Sequence, residues 1–332
     1  MHAHDTPQAS TRRTLDGTLV TIVLPAFNES GAIGDTVKGI AAWLVPHVPQ
    51  WEILVVDDGS SDDTAGTVQR LSPALRLSVI RLSRNFGKEA ALTAGLDHAK
   101  GGVVIGMDAD GQHPVEMLSQ MLSHWCDGVD MVYAVRQDRD QESSFKRWGA
   151  RLFYRMLSVG GQFSIPEDAG DFRLMDRCVV NALKALPERE RFMKGLYAWV
   201  GFRTLGLPYT PLSRTVGETT YSKRKLIRLA WTGFTGFSAL PLRVSSAVGF
   251  VLALMALGYG LNVVIDYMFF NESVPGWPTI VASIMFFSGI QLLFIGILGE
   301  YLARVYDEVK GRPTYLVADI TASSGPANDS AD

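Results

Sequence analysis

Cysteine is scarce in this chain of 332 residues: there are two, Cys126 and Cys178, far apart in sequence. They fit no metal-ligand spacing, which excludes a disulfide scaffold and a thiolate zinc site. Both thiols read as structural, in a reduced, cytoplasm-facing protein. An excess of positive charge is also missing. Lys and Arg number 31 against 34 Asp and Glu, a net charge of −3, so nucleic acid is excluded as an electrostatic partner. The first seventeen residues lack an apolar run, which excludes a secretory signal and leaves a loose tail. The phosphate-binding G-x-x-x-x-G-K-[ST] loop is absent, and so is G-x-G-x-x-G in a first strand–helix turn; this disfavours P-loop and dinucleotide folds. No repeat of supersecondary size is found.

What is present is alternation of apolar strands and helices up to about residue 240. Leu19 to Pro25 is a β-branched strand stopped by proline. Ala26-Phe27-Asn28-Glu29-Ser30 then enters a helix that Asn28 or Ser30 can cap. Trp51 to Val56 repeats the pattern, ending in Asp57-Asp58-Gly59. Asp57 or Asp58 can accept from a base N–H, and Glu29 can bond a ribose hydroxyl; Asp62 and Asp63 read as caps. Leu77 to Leu82 is a third strand. Arg84 and Lys88 follow it near a helix amino end, where an anionic phosphate is favoured. Solvated surface charge explains the two residues equally well on this segment alone.

The stretch with most chemistry is Gly106-Met-Asp108-Ala-Asp110-Gly-Gln112-His-Pro114. It follows Val103-Val104-Ile105, a short buried strand, so its acids fall at the strand's carboxyl end, where open α/β sheets bind ligands. Residues i and i+2 of an extended segment face the same way. Asp108 and Asp110 can therefore share one site, and two convergent carboxylates call for a hard cation such as Mg²⁺ or Mn²⁺. An Asp/Gly-rich turn with a helix cap is the plainer explanation of the tripeptide taken alone. Further on, Met131 to Val135 is a strand ending in Arg136, and Ser143 to Gly160 a helix with Arg147, Arg151 and Arg155 in one stripe. Asp168 and Asp171 lie in a Gly/Pro-containing segment, where either can face a reacting centre or cap the helix that follows.

Two runs without charge, Val244 to Ile265 and Ser273 to Gly299, are each long enough to cross a hydrocarbon core of about 30 Å at ~1.5 Å per helical residue. Lys223, Arg224, Lys225, Arg228 and Arg243 precede them; Arg304, Lys310 and Arg312 follow. The connecting segment has neither Lys nor Arg, which places both flanks in the cytoplasm. The organisation expected is a tail (1–17), an α/β catalytic domain (18–222), juxtamembrane amphipathic helices (223–243), two transmembrane helices (244–303) and a cytoplasmic segment with a disordered tail (304–332).

Taken together, Leu24-Pro-Ala-Phe-Asn-Glu29, Val55-Val-Asp-Asp-Gly-Ser60, Arg84-Asn-Phe-Gly-Lys88, Asp108 through Pro114 and Gly170-Asp-Phe-Arg-Leu174 resemble family 2 glycosyltransferases of the GT-A fold. Arg214, Gly217-Glu218, Tyr221-Ser222, the paired apolar runs and Gly299-Glu-Tyr-Leu302 narrow the resemblance. They are similar to the polyprenyl-phosphate glycosyltransferases, the branch with dolichyl-phosphate mannose synthases and bactoprenol glucosyltransferases. The match covers about residues 18 to 317. It implies a Rossmann-like, mostly parallel sheet with helices on both faces, then interfacial helices and two membrane spans. It implies Asp108, Asp110 and Gln112 around Mg²⁺ or Mn²⁺, and Pro25, Glu29, Asp57, Asp58, Lys88 and Asp108 around the nucleotide sugar. It puts Asp171 at the catalytic-base position, with Asp110 essential beside it, and turns Arg136, Arg214 and Lys223 toward phosphates. One departure is Gly217-Glu-Thr-Thr-Tyr221, where the family often has Gly-Glu-Ser-Lys-Tyr; Lys223 can substitute for that lysine.

The activity implied is inverting transfer of a hexose from a nucleotide sugar, UDP-glucose ahead of GDP-mannose, to undecaprenyl or dolichyl phosphate in the inner membrane. Catalytic domain and both termini lie in the cytoplasm, and a homo-oligomer is left open. A phosphate monoester with a second pKa near ~6 is already largely ionised at pH 7, so Asp171 reads as a positioning group first and a base second. A polysaccharide synthase of the same fold is the rival enzyme; two spans are few for threading a polymer, and Gln-x-x-Arg-Trp is absent. A membrane-anchored nucleotide-sugar-binding protein without turnover is the rival from another class.

Overall fold

The computed structural model describes residues 12–72, 75–136, 169–189, 191–210, 240–270 and 276–322. In chain order these form β1 (Leu19–Ala26), α1 (Ile33–His47), β2 (Gln50–Asp57), α2 (Thr64–Leu71), β3 (Leu77–Leu82), α3 (Lys88–His98), β4 (Val103–Gly106) and α4 (Met117–Cys126). Then come β5 (Met131–Arg136), β6 (Ala169–Asp176), α5 (Arg177–Ala185), α6 (Met193–Trp199), β7 (Thr204–Tyr209), α7 (Leu240–Phe270), α8 (Trp277–Lys310) and β8 (Val317–Ala322). The chain divides into two compact units. One carries the sheet and its helices, the other α7 and α8.

The sheet has eight strands in the order β7-β5-β6-β4-β1-β2-β3-β8. All strands run the same way except β6, antiparallel to β4 and β5, and β8, antiparallel to β3. β1 is apolar along almost its whole length because it is covered on both faces, as central parallel strands are. Ile22 and Leu24 bury one face with Ile40 and Leu44 of α1, Val68 of α2 and Met121 of α4. Val23 and Val56 point to the other face, where Gly95 of α3 lies so close that a Cβ there would overlap Val23. α3 fits this contact because it is built of small residues and is buried from Ala90 to Leu96. From β1 the chain adds β2 and β3 on one side and β4 on the other. The crevice between the carboxyl ends of β1 and β4 is thus the topological switch point.

Three strands depart from the reading by pattern. β6 occupies the segment whose acids read either as facing a reacting centre or as caps: Asp171 is a strand residue, and the cap of α5 is Asp176, the last residue of β6, whose side chain accepts from Cys178 N at 2.9 Å. β7 and β8 are six residues each; β7 has one buried residue and β8 is exposed at five of its six. β8 lies within the stretch that composition assigns to a disordered tail, and it joins the catalytic sheet by pairing Ser78–Leu82. Tyr315 supports it by donating to Asp97 at 2.9 Å. At the other terminus Arg13 is anchored rather than loose: its amide donates to Cys126 O, and its guanidinium meets Asp130 at 2.6 Å. Neither Asn28 nor Ser30 caps α1, which starts at Ile33 without a side-chain cap.

In the second unit α7 and α8 are both long and apolar enough to cross a membrane. Large apolar side chains, among them Leu257, Phe269, Met285 and Leu292, stand exposed along them. In water such a surface would be an aggregation liability. Gly311, with φ +72°, closes α8 in the left-handed conformation, as sequence predicts. The basic helix expected at 143–160 and all but the last four residues of the juxtamembrane helices expected at 223–243 lie outside the described residues, as do Asp168, Arg214 and Lys223; residues 240–243 already belong to α7.

Truncation before Tyr315 removes β8 and the Tyr315–Asp97 bond together. Hydrogen exchange should then accelerate at Ser78 to Leu82 and leave β1 protected. Unchanged exchange in β3 would show that β8 contributes nothing to the edge.

Candidate active site

The floor of the crevice is two loops laced to a third. Asp57 is fully buried, and its Oδ1 accepts from Ser60 N at 3.0 Å. That bond closes the turn through Gly59, whose φ is +65° and where a Cβ would overlap the Arg84 backbone. Asp58, 2% exposed, accepts from Phe86 N and Gly87 N at 2.8 Å each. Burial raises its pKa, and these two amides work against that rise without cancelling it. From β1, Asn28 takes φ 55°; its amide donates to Ser60 Oγ and its Oδ1 accepts from Ser61 N, both at 2.9 Å. Glu29 N donates to Thr64 Oγ1. Pro25 and Glu29 are half-buried at this edge. Asn28 and Ser30 are thus spent on the β2 loop, which is why the helix that follows begins later than its capping residues suggest.

The charged centre lies at the end of β4. Met107 and Ala109 are buried while Asp108 and Asp110 are half-buried, so the expected alternation survives into the turn. Thr36 of α1 donates to Ala109 O at 3.1 Å, and Asp110 Oδ1 accepts from Gln112 N at 3.1 Å. In the antiparallel ladder Gly106 faces Arg173; continuing that register brings Asp108 opposite Asp171. Between them sits the ammonium of Lys88, 2.6 Å from Asp108 Oδ1 and 2.7 Å from Asp171 Oδ2. Burial would raise the Asp108 carboxyl, but His113 and Lys88 outweigh it and hold the group below the usual carboxylate range. Desolvation likewise works against the Lys88 ammonium, yet the charges of Asp171 and Asp108 keep it firmly protonated. His113 Nε2 stands 3.6 Å from Asp108 Oδ2, beyond hydrogen-bond length.

Among the described residues no three His, Cys, Asp or Glu side chains form a ready-made metal cage. Mg²⁺-type sites often take one or two carboxylates and leave the remaining positions to phosphate and water. Asp108, ionised and 31% exposed at its side chain, with Asp110 and the Gln112 amide, is a donor set of hard oxygens that suits such an ion.

Behind this centre is a wall to which the motifs contribute Phe172, Arg173 and His113 without assigning them a role. Arg173, 3% exposed, donates to Gly170 O at 3.0 Å and lies 3.7 Å over the Tyr197 ring. Phe172 is fully buried against His113, ring centroids 4.6 Å apart. Glu89 stands at the start of α3 with its carboxylate bonded to the Met193 amide. Burial and the nearby Asp171 charge push it up to about 7. Asp171 Oδ1 and the Tyr197 hydroxyl are buried without a hydrogen-bond partner among the described residues. Tyr197 escapes a reading by motif because α6 reaches the site from far along the chain, and Glu89 because it directly follows the stretch that ends at Lys88. The alternation of Asp171, Phe172, Arg173 and Leu174 was the available signal for β6. Arg136 ends β5, exposed, at the same carboxyl edge.

A mostly parallel sheet with its acids at the switch point is the setting in which the sequence comparisons take meaning. The family model for glycosyl transferase family 2 matches residues 21–183, and the chain belongs to that family, with its GT-A fold. A prophage bactoprenol glucosyl transferase homologue of Escherichia coli is 40% identical, over 90% of this chain and 98% of its own. The bactoprenol glucosyl transferase of Shigella phage SfV is 41% identical over 90% and 97%. An uncharacterised glycosyltransferase of Synechocystis is 41% identical over 91% and 95%. Among solved structures, a mannosyltransferase from Pyrobaculum calidifontis in complex with GDP-Man and Mn²⁺ aligns over 86% of this chain and 87% of its own, at 20% identity and a TM-score of 0.45. The protein is thus a glycosyltransferase similar to bactoprenol glucosyl transferases.

Glu89 yields a pH prediction. Its folded pKa of about 7 lies above its ordinary value, so the fold favours the protonated form. That contribution is complete below the unfolded pKa and is lost as pH rises through about 7. Glu89→Gln should therefore raise the thermal midpoint at pH 8 and change it little at pH 4. A midpoint that falls equally at both pH values would show that Glu89 is held as a carboxylate.

Proposed function

We propose that the protein transfers glucose from UDP-glucose to the phosphate of a membrane polyprenyl phosphate, with inversion at the anomeric carbon. The observation that carries the reading is the convergence of Asp108, Lys88 and Asp171 at the switch point of the sheet. The glucosyl and bactoprenol assignments follow relatives 40–41% identical over nine-tenths of the chain. The two apolar helices support action at a membrane, and the charge asymmetry around them supports a cytoplasmic catalytic domain.

In this reading the loops held by Asp57 and Asp58 form the nucleotide seat, with Pro25 and Glu29 at its β1 side. Lys88, at the amino end of α3, offers its ammonium to the diphosphate, and the positive end of the helix dipole favours the same charge. Asp108, Asp110 and Gln112 hold a divalent ion, which when bound supplies charge neutralisation for the leaving diphosphate. An oxygen of the lipid phosphate attacks the anomeric carbon as its bond to the nucleotide's β-phosphate breaks, and the nucleoside diphosphate leaves with the electron pair. The acceptor is already ionised at neutral pH, given a second pKa near ~6, so no proton needs to leave it. Asp171 then serves to orient Lys88 and to shape the field at the reacting carbon. Arg136, Arg214 and Lys223 seat the acceptor phosphate, for which the arginine fork is suited.

The direct test is the purified full-length protein in detergent, given UDP-glucose or GDP-mannose and undecaprenyl phosphate, with the lipid product read by mass. A hexosyl lipid from UDP-glucose is expected; product from GDP-mannose alone would replace the donor, and no product from either would remove the reading. Asp110→Ala should lose nearly all turnover while keeping its thermal midpoint, and chelation should do the same to the parent. Full activity in both would sink the metal assignment. Arg214→Ala should raise the apparent KM for polyprenyl phosphate roughly ten- to hundredfold, the worth of a lost charge-assisted bond of ~1.5–3 kcal/mol. A loss of nucleotide-sugar affinity instead would move Arg214 to the donor.

A further inference from the structure

Asp108 is claimed twice. The proposed function gives its carboxylate to a divalent ion, yet the structure gives its Oδ1 to Lys88 at 2.6 Å. A divalent ion on the same carboxylate would lie close to the ammonium, and the two cations repel in a partly desolvated site, so each weakens the other's hold. We propose that Lys88 is the resident counter-ion of the metal seat: it occupies Asp108 before metal arrives and yields it when metal binds. The displaced ammonium then turns to the nucleotide's diphosphate, so that metal and nucleotide favour each other's binding. The proposal rests on the reading of Asp108 as a metal ligand.

The local structure is built for such an exchange. The backbone at Lys88 is fixed: Phe86 and Gly87 donate to the buried Asp58 carboxylate at 2.8 Å each, and Gly87 turns into α3 with φ +101°. The side chain is not. It is four carbons long, 43% exposed, and its charge is a point rather than a fork, so the ammonium can move while the backbone stays. Displacement from Asp108 does not strand it, because Asp171 Oδ2 holds it at 2.7 Å. Arg173 is no substitute: its guanidinium is committed to Gly170 O and Met131 Sδ and stacked on Tyr197. Without nucleotide, metal must expel a good partner from Asp108 and the lysine gains nothing in return. With a diphosphate present, the lysine gains a new anion. The difference is a positive coupling free energy, and by linkage it acts equally on both ligands.

The test measures Mn²⁺ binding to the full-length protein in detergent by electron paramagnetic resonance of the free ion, with and without UDP. Lys88→Met should bind Mn²⁺ without UDP up to about fivefold tighter than the parent, the effect of removing one partly exposed charge pair. The gain in Mn²⁺ affinity that UDP brings should shrink in the same variant, and Lys88→Arg should retain the parent's pattern. A second measurement needs no variant: modification of Lys88 by an amine reagent, read by mass spectrometry, should rise when Mn²⁺ is added alone and fall again with UDP. Mn²⁺ binding that is unchanged or weaker in Lys88→Met, or labelling of Lys88 indifferent to Mn²⁺, overturns the proposal. Failure of the parent reading looks different: Asp108→Asn would then bind Mn²⁺ as the parent does, or the parent would bind none even with UDP, and the proposal would fall with it.

Discussion

Two carboxylates, Asp108 and Asp171, converge on the single ammonium of Lys88, and the rest of the site depends on that contact. The acids come from antiparallel neighbours, β4 and β6, whose register brings them face to face. Without a cation between them their mutual repulsion would push one toward its protonated form. His113 and Lys88 together keep Asp108 ionised against its desolvation, and an ionised carboxylate is what a hard cation needs as a ligand. The ammonium is delivered by the first residue of α3, which places a positive charge at the amino end of a helix. Anion recognition and acid ionisation are therefore consequences of one placement.

That placement is in turn made by two acids that never need to touch a substrate. Asp58 clamps the Phe86 and Gly87 amides, and Asp57 closes the Gly59 turn against the Arg84 backbone. Buried carboxylates are costly unless their oxygens are satisfied. Both Asp58 oxygens take backbone amides at short range, so its desolvation is offset and the loop ahead of Lys88 is made rigid. The same residues can still line a nucleotide seat, since what they organise is the crevice wall.

The second unit has the opposite surface pattern. α7 and α8 present apolar side chains outward over their length, the inverse of the catalytic sheet, where such residues are covered from both faces. After α8 the chain returns to the first unit and adds β8 to the edge of β3. The edge strand of the catalytic sheet is thereby supplied by chain that follows the apolar helices, which protects backbone groups that an open edge would leave exposed.

The amino-acid sequence alone determined the parallel core of this protein: Leu19 to Pro25, Trp51 to Val56, Leu77 to Leu82 and Val103 to Ile105 announce themselves because burial on both faces demands continuous apolar strands. It also placed the acids at their carboxyl ends and marked the two long uncharged runs, since chain length against bilayer thickness is a local property. The residues themselves offered Lys88 and Asp171 as candidates, and the family resemblance gave Asp171 a catalytic position, but neither gave the bond between them. Tertiary structure alone decided that β6 and β8 are strands, that Asn28 and Ser30 serve the β2 loop rather than cap α1, and that Glu89, Arg173 and Tyr197 wall the site. The reason is common to all of these. Each depends on pairing between residues far apart in the chain, and the free energy of a carboxylate, a cap or an edge strand is set by whichever distant group comes to lie beside it.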